Sequence, residues 1–230
     1  MMYSSHKEYC RTIRQKNRVK RPLNLVAFST LIKQGECENM YIRKATPEDA
    51  DKAAILTRLA IKEIAEVLTG ETEEERILYV LADLFRKSGN RISYENTFVS
   101  EHDGQVSGLI IAYHGKDAES LDKPIVKRLR TKMKDPSVTL DKEAEMKDFY
   151  LDTLCVDPNF QGKGIGSALI QYVEGYAKQK GYPRVSLVVE NENEGANRLY
   201  SRLGYEEMKT ITISGHDFGY MVKEIEEPPV

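Results

Sequence analysis

The sequence predicts an α/β fold of the α+β kind: a mixed, mostly antiparallel sheet of six to seven strands with helices on both faces. Three observations carry this. Apolar runs of strand length recur between segments of helical period. Neighbouring runs are joined by turn signals, Asp103-Gly104 above all, which make antiparallel hairpins. One strand–helix–strand unit, residues 149–189, requires a parallel pair. The 230 residues suffice for one ordinary domain with a core, or for a domain plus an extension.

The elements follow in order. "MYIRKAT" alternates Tyr41 and Arg43 with Ile42 and Lys44, as a strand does. Thr46 then caps a helix, with Pro47 at its first position and two acids in its first turn. That helix is expected to run to Leu68, with Ala53, Leu56, Leu59 or Ala60, and Ile64 on one face, and to end at Gly70. Thr72 is expected to cap a second helix, "EEERILYVLADLFRKSG", stopped by Gly89. "NTFVSEHDGQVSGLIIAYHG" reads as a hairpin.

Residues 115–147 interrupt the strand pattern with mostly charged sequence. After Pro124, the residues Val126, Leu129 and Met133 stand at helical spacing, so this insertion is expected to be a helix on a long loop, folded back by that stripe. Its basic run is a solvated helix face, a substrate-facing lid or an oligomer contact. "DFYLDTLCV" is a strand, "GIGSALIQYVEGYAKQKG" a helix with Ile165, Leu169, Tyr172 or Val173, and Tyr176 on its apolar face, and "RVSLVVE" a buried strand. A short helix, "NEGANRLYSRLGY", ends at Gly204, and "EEMKTITISG" with "HDFGYMVKEI" forms a last hairpin. The domain is therefore expected to span residues 40–226, with 227–230 a tail.

Hydrophobic residues make up 40% and charged residues 30%, a globular balance. The net charge of −2 excludes a surface built for nucleic acid. No apolar run approaches the roughly 20 residues that span a bilayer. Three cysteines, odd in number and far apart, read as free thiols of a reducing, cytoplasmic compartment, and four scattered histidines give no metal-binding spacing.

Residues 1–39 differ from the rest. Eight basic residues against three acidic ones give this leader about +5, which leaves about −7 for the remainder. The leader imitates a secretory signal, but Asn24, Ser29 and Thr30 interrupt its apolar part and no small-residue cleavage site follows. It also imitates an organelle transit peptide. A third reading places the true start of translation at Met40. On any of them the leader is expected to be poorly ordered and not catalytic.

"DPNFQGKGIGSALI" carries the chemistry. Unsatisfied N–H groups and a partial positive charge mark a helix N-terminus. Gly162, Gly164 and Gly166 let the backbone approach an oxygen and take positive φ, so successive amides can converge on a phosphate. Glycines for tight strand–helix packing are the alternative. An NTP-binding loop would need its lysine after the last glycine, followed by Ser or Thr, whereas Lys163 lies between glycines. A dinucleotide site would suit Glu190 at the next strand's end, but "DPNFQ" separates strand from glycines, and too few elements follow.

Three segments together resemble the GNAT superfamily of N-acetyltransferases. "CVDPNFQGKGIGSAL" is similar to its Q/R-x-x-G-x-G/A acetyl-CoA signature, with Gln161, Gly164 and Gly166 at the signature positions. "NEGANRLYSRLGY" is similar to its N-x-x-A-x-x-L-Y-x-x-x-G-F/Y segment, and "MYIRKATPEDADKAAIL" to its opening strand and helix. The resemblance covers roughly residues 40–225.

It implies direct transfer of an acetyl group from acetyl-CoA to a primary amine of a small-molecule or peptide acceptor, with no metal and no covalent enzyme intermediate. The amides of Gly162, Lys163, Gly164, Ile165, Gly166 and Ser167 would hold the pyrophosphate. The backbone of Leu154, Cys155 and Val156 would pair with the pantetheine arm and donate to the thioester oxygen. Asn193, with Asn197 as a neighbouring candidate, would contact the arm. Tyr200 would be the general acid, and Asp152 the best carboxylate to deprotonate the amine, with Asp148 and Glu95 behind it. Cys155 reads as a small strand residue rather than a nucleophile. Homodimers are common in the family, though no residue pattern here specifies one. A non-catalytic CoA-sensing module and an NAD(P)-binding domain are the alternatives. The acceptor would be shaped by residues 48–89, the insertion and the last hairpin.

Overall fold

The computed structural model describes residues 40–225. The expectations on the leader and the tail concern residues outside that range. Among the described residues, seven strands form one sheet in the order β1-β2-β3-β4-β5-β7-β6. They are β1 Met40–Lys44, β2 Thr97–His102, β3 Gln105–His114, β4 Phe149–Val156, β5 Arg184–Glu190, β6 Glu206–Ile213 and β7 His216–Glu224. All neighbouring pairs are antiparallel except β4 with β5, as the single strand–helix–strand unit requires. The mixed sheet with helices on both faces is the expected fold class.

The helices are α1 Ala50–Ile61, α2 Ile64–Thr69, α3 Glu74–Arg86, α4 Ala118–Met133, α5 Ile165–Gln179 and α6 Glu194–Arg202. On one face of the sheet, α1 to α4 bury Leu56, Ile77, Leu81, Phe85, Ile125 and Leu129. On the other, α5 buries Ile165, Leu169, Ile170 and Val173, with α6 packed beside them. Asp103 (φ 50°) and Gly104 (φ 78°) turn between β2 and β3, both left-handed as that two-residue hairpin demands.

Three expectations are corrected. The first helix does not run unbroken to Leu68. It stops after Ile61, where Lys62 turns left-handed (φ 45°), and α2 begins at Ile64. No glycine or proline marks that break; instead the turned Lys62 reaches across to Glu190, 2.9 Å away. The cap of α3 is Glu73 rather than Thr72. The helix of the insertion starts at Ala118, six residues before Pro124, and the stripe that seats it is Ile125 and Leu129, with Leu121 partly buried in line. Leu129 is buried as expected, but Met133 is 59% exposed and Ile125 takes the place expected of Val126.

One glycine unnoticed in the sequence sets how closely α5 lies on the sheet. A Cβ at Gly108 of β3 would stand 2.9 Å from the Cys155 carbonyl oxygen and 3.2 Å and 3.3 Å from Ile165 and Leu169. Gly166, by contrast, would meet only ordinary contacts with Val156 and Leu154.

Candidate functional site

The site begins at a bulge in β4. Opposite β3, Ile111 pairs with Thr153 and Ala112 with Leu151, so Asp152 has no partner. The extra residue reverses the alternation of the strand. Before it, Phe149 and Leu151 face α5; after it, Leu154 and Val156 do. Pairing with β5 also ends here: only Phe149, Tyr150 and Leu151 match Val185, Ser186 and Leu187. Beyond Leu151 the two strands splay. A cavity of about 170 Å3 fills the wedge and reaches through the sheet, bordered by Ile64 and Leu68 on one side and Ile170 on the other.

At the open end lies the glycine loop. Asp157 is buried, and its Oδ1 accepts from the Asn159 amide at 2.8 Å, while its other oxygen is ion-paired with Lys52 of α1. Hydrogen bonding to Lys52 holds the Asp157 carboxyl below the usual carboxylate range. "DPNFQ" is thus a fixed turn, with Pro158–Phe160 as one 3-10 turn. Gly162 and Gly164 are both left-handed (φ 77°) with open space where a Cβ would stand. Gly164 caps α5, whose first bonded amide is that of Ala168. The amides of residues 162–167 donate to no acceptor among the described residues, which leaves N–H groups free to bond an anion. Lys163 rests over the Phe160 ring, 5.3 Å from its centroid.

Tyr200 borders the cavity from α6. Burial pushes its phenol up to about 12, so it is protonated at neutral pH and able to donate. Asn193 also borders the cavity, but its Oδ1 caps α6 by accepting from the Ala196 amide at 3.1 Å. Asn197 does not join them. Its amide donates to the carbonyls of Glu190 and Asn193, each at 3.1 Å, and ties the β5–α6 connection together. Cys155 is half-buried on the α1 face, and burial pushes its thiol up to about 11, far from the thiolate a nucleophile needs.

Asp152, the carboxylate expected to deprotonate the amine, borders the cavity, yet it is not a free carboxylate. Its Oδ2 accepts from Arg91 Nε (2.9 Å), Arg91 Nη2 (2.5 Å) and the Tyr113 hydroxyl (2.5 Å), and its Oδ1 from the Thr153 hydroxyl (2.8 Å). Arg91 is buried. It also faces Glu143 at 3.0 Å and Asp122 at 3.5 Å. Burial works against the charge of Arg91, but the carboxylates of Asp152 and Glu143 outweigh it and hold its pKa above the ordinary arginine value. Glu143 accepts from the Tyr150 hydroxyl at 2.9 Å. The other carboxylates lie elsewhere. Asp148 is fully buried against Arg184 and the Tyr220 hydroxyl, and Glu95 accepts from the Gly89 amide.

Arg91, Glu143 and Asp122 are the residues that sequence reasoning missed. Arg91 follows a helix-stopping glycine in "GNRISYEN", and Glu143 is one acid among many in the insertion. Only the distance across four segments singles them out.

A splayed parallel pair beside a glycine-capped helix, within a sheet of this order, defines the class of acetyltransferase folds. A solved acetyltransferase, 34% identical, matches 81% of this chain and 100% of its own length with a TM-score of 0.68. The paiA N-acetyltransferase of Thermoplasma acidophilum, solved in complex with coenzyme A, shares the fold at 20% identity and a TM-score of 0.50, over 81% of this chain and 99% of its own. The profile of the Acetyltransferase (GNAT) family matches residues 60–205, and the chain belongs to that family. Among curated relatives, an uncharacterized N-acetyltransferase of Methanocaldococcus jannaschii is 50% identical over 56 residues, 24% of this chain and 25% of that protein. The chain thus spans about a quarter of that relative's length. Among the described residues no helix is long and apolar enough to cross a membrane.

Proposed function

We propose that this protein transfers an acetyl group directly from acetyl-CoA to a primary amine. The observation that carries the reading is the junction of two features: β4 parts from β5 at Asp152, and the open edge runs straight to the unpaired amides of residues 162–167. An extended, amide-rich arm ending in a pyrophosphate has the matching shape. The coenzyme A bound by the Thermoplasma acidophilum neighbour supports the same ligand class.

Acetyl-CoA supplies the activated acetyl group. The chain's residues do the rest. The cradle at Gly162, Lys163, Gly164, Ile165, Gly166 and Ser167 holds the pyrophosphate, with Gln161 leading into it. The edge of Leu154, Cys155 and Val156 orients the arm, and an amide near Leu154 or Cys155 donates to the thioester oxygen. Tyr200 gives its proton to the departing sulfur. Asp152 fixes Arg91 and Tyr113 at the cavity floor. A cavity of about 170 Å3 admits an amine arm, of a small molecule or a peptide, rather than a folded surface.

The test has two parts. Calorimetry should register acetyl-CoA binding that Gly164→Asp abolishes, because a carboxylate there opposes the anion and strains a left-handed backbone; undiminished affinity rejects the cradle. Free CoA release should then be followed with aliphatic amines, polyamines, aminoglycosides and peptides. Tyr200→Phe should lower kcat on the order of 10²–10⁴-fold where chemistry limits the rate. A loss under about threefold removes Tyr200 as the acid. Binding without release from any amine would mark a CoA-sensing module instead.

A further inference from the structure

We propose that Glu143, carried by the insertion, is the group that accepts the proton of the incoming ammonium; this rests on the acetyl-transfer reading above.

Glu143 borders the main cavity together with Asp152, Thr153 and Tyr200. It also borders a second, smaller hollow of about 40 Å3, formed by residues 139–141 of the insertion and by Ile213 and Ser214 at the β6–β7 turn. Glu143 therefore stands on the partition between the two, on the side away from the glycine loop. The hollow between the insertion and the last hairpin is bordered by Glu143 and not by Tyr200.

Both oxygens of Asp152 are occupied, one by three donors and the other by Thr153. Glu143 has only its Oε2 engaged, by Tyr150 and Arg91. Its Oε1 accepts no hydrogen bond from any described residue. A carboxylate with one committed oxygen is held in place, and its second oxygen can bond an ammonium and take its proton.

Arg91, from the segment after α3, faces Glu143 together with Asp122 of α4, Tyr113 of β3, and Tyr150 and Asp152 of β4. One guanidinium among three carboxylates leaves negative charge in excess, which favours a cation over a neutral guest. Across the cavity, Lys62 is paired with Glu190 and adds no net charge. Burial, opposed by Arg91, raises the Glu143 carboxyl above the ordinary glutamate value, which makes it a better proton acceptor near neutral pH than an exposed carboxylate.

The step balances as follows. An N–H bond of the ammonium breaks toward Glu143 Oε1. The freed lone pair forms the bond to the acetyl carbon as the carbon–sulfur bond breaks onto sulfur. Sulfur takes the Tyr200 proton, the nitrogen's second proton returns to the Tyr200 oxygen, and Glu143 releases its proton to solvent.

The test compares two nucleophiles that differ in whether a proton must leave before attack. n-Butylamine is an ammonium at neutral pH, whereas hydroxylamine is already uncharged. With acetyl-CoA and free CoA release as the readout, Glu143→Gln should lower kcat/KM for n-butylamine on the order of 10²-fold, and for hydroxylamine by less than about threefold. The rise of kcat/KM with pH for n-butylamine should flatten in the variant, and the thermal shift given by acetyl-CoA should be unchanged. Glutamine keeps an oxygen for Tyr150 and Arg91, so the fold is retained. Asp152→Asn serves as the positioning control and should slow both nucleophiles alike. Equal losses for the two nucleophiles in Glu143→Gln, or full activity with n-butylamine, overturn the proposal. A wild-type protein that neither binds acetyl-CoA nor releases CoA overturns the acetyl-transfer reading instead.

Discussion

Two arginines hold β4, Arg91 buried and Arg184 half-buried, and they do opposite things. Arg184 meets a single buried carboxylate, Asp148 at 2.6 Å, which also accepts from the Tyr220 hydroxyl at 2.5 Å. The charges cancel, and neither residue borders the main cavity. Arg91 sits four residues further along the strand, at Asp152, and it answers to three carboxylates with the cavity open beside them. The first arrangement closes the sheet where β4 still pairs with β5. The second stands where that pairing stops. A matched buried pair joins elements; an unmatched one facing a cavity leaves charge for a ligand.

The largest effect should come from removing the arginines. Arg91→Leu leaves three carboxylates beneath α1 without their cation, and should cost about 3–5 kcal/mol, the range for breaking a buried pair. Arg184→Leu, which strands one carboxylate that still has Tyr220, should cost less. Urea unfolding of both variants at neutral pH measures this. A second reading at pH 5 sharpens it. Without Arg91 the carboxyls have folded pKa values above their unfolded ones, so their protonation favours the folded state and the deficit should shrink as pH falls. Equal costs for the two variants, with no pH dependence, would erase the distinction between the clusters.

The same contrast explains what the sequence could reveal. The glycine loop's geometry and the helix carrying Tyr200 were legible because they are local: positive φ at Gly162 and Gly164, a helix N-terminus, and a short helix of fixed register; the role of Tyr200 is what the family resemblance implies. The hairpin at Asp103-Gly104 was legible for the same reason. The bulge was not, since "FYLDTLCV" reads as an ordinary strand and only pairing against β3 makes Asp152 the extra residue. The Arg91 cluster was least legible. Its members come from the loop after α3, from β3, from α4, from the insertion's trailing segment and from β4, and no spacing within one segment brings them together. Asp152 stands out in the sequence as a carboxylate to deprotonate an amine, but its partners Arg91, Tyr113 and Thr153, the first two of which no local spacing reveals, decide what it can do. The insertion's apolar stripe shows that it folds back on the domain, but its charged sequence hides that Asp122 and Glu143 point inward.

The smallest effect tests the outermost member of the cluster. Asp122 Oδ1 is buried, has no hydrogen-bond donor and lies 3.5 Å from Arg91. Burial pushes its carboxyl up to about 6 despite that neighbour. An unfolded aspartate titrates near about 3.9, so between these two values the folded chain holds the proton more tightly. Folding stability that depends on Asp122 is therefore full at low pH and falls as pH rises toward about 6. Asp122→Asn removes that fall. Against wild type, its urea midpoint should be equal or lower at pH 4 and higher at pH 7, with the crossing inside that window. The opposite order, a variant weaker at pH 7 than at pH 4, would mean that the ionised Asp122 is a matched partner of Arg91, and that the Arg91 cluster resembles the Arg184 pair after all.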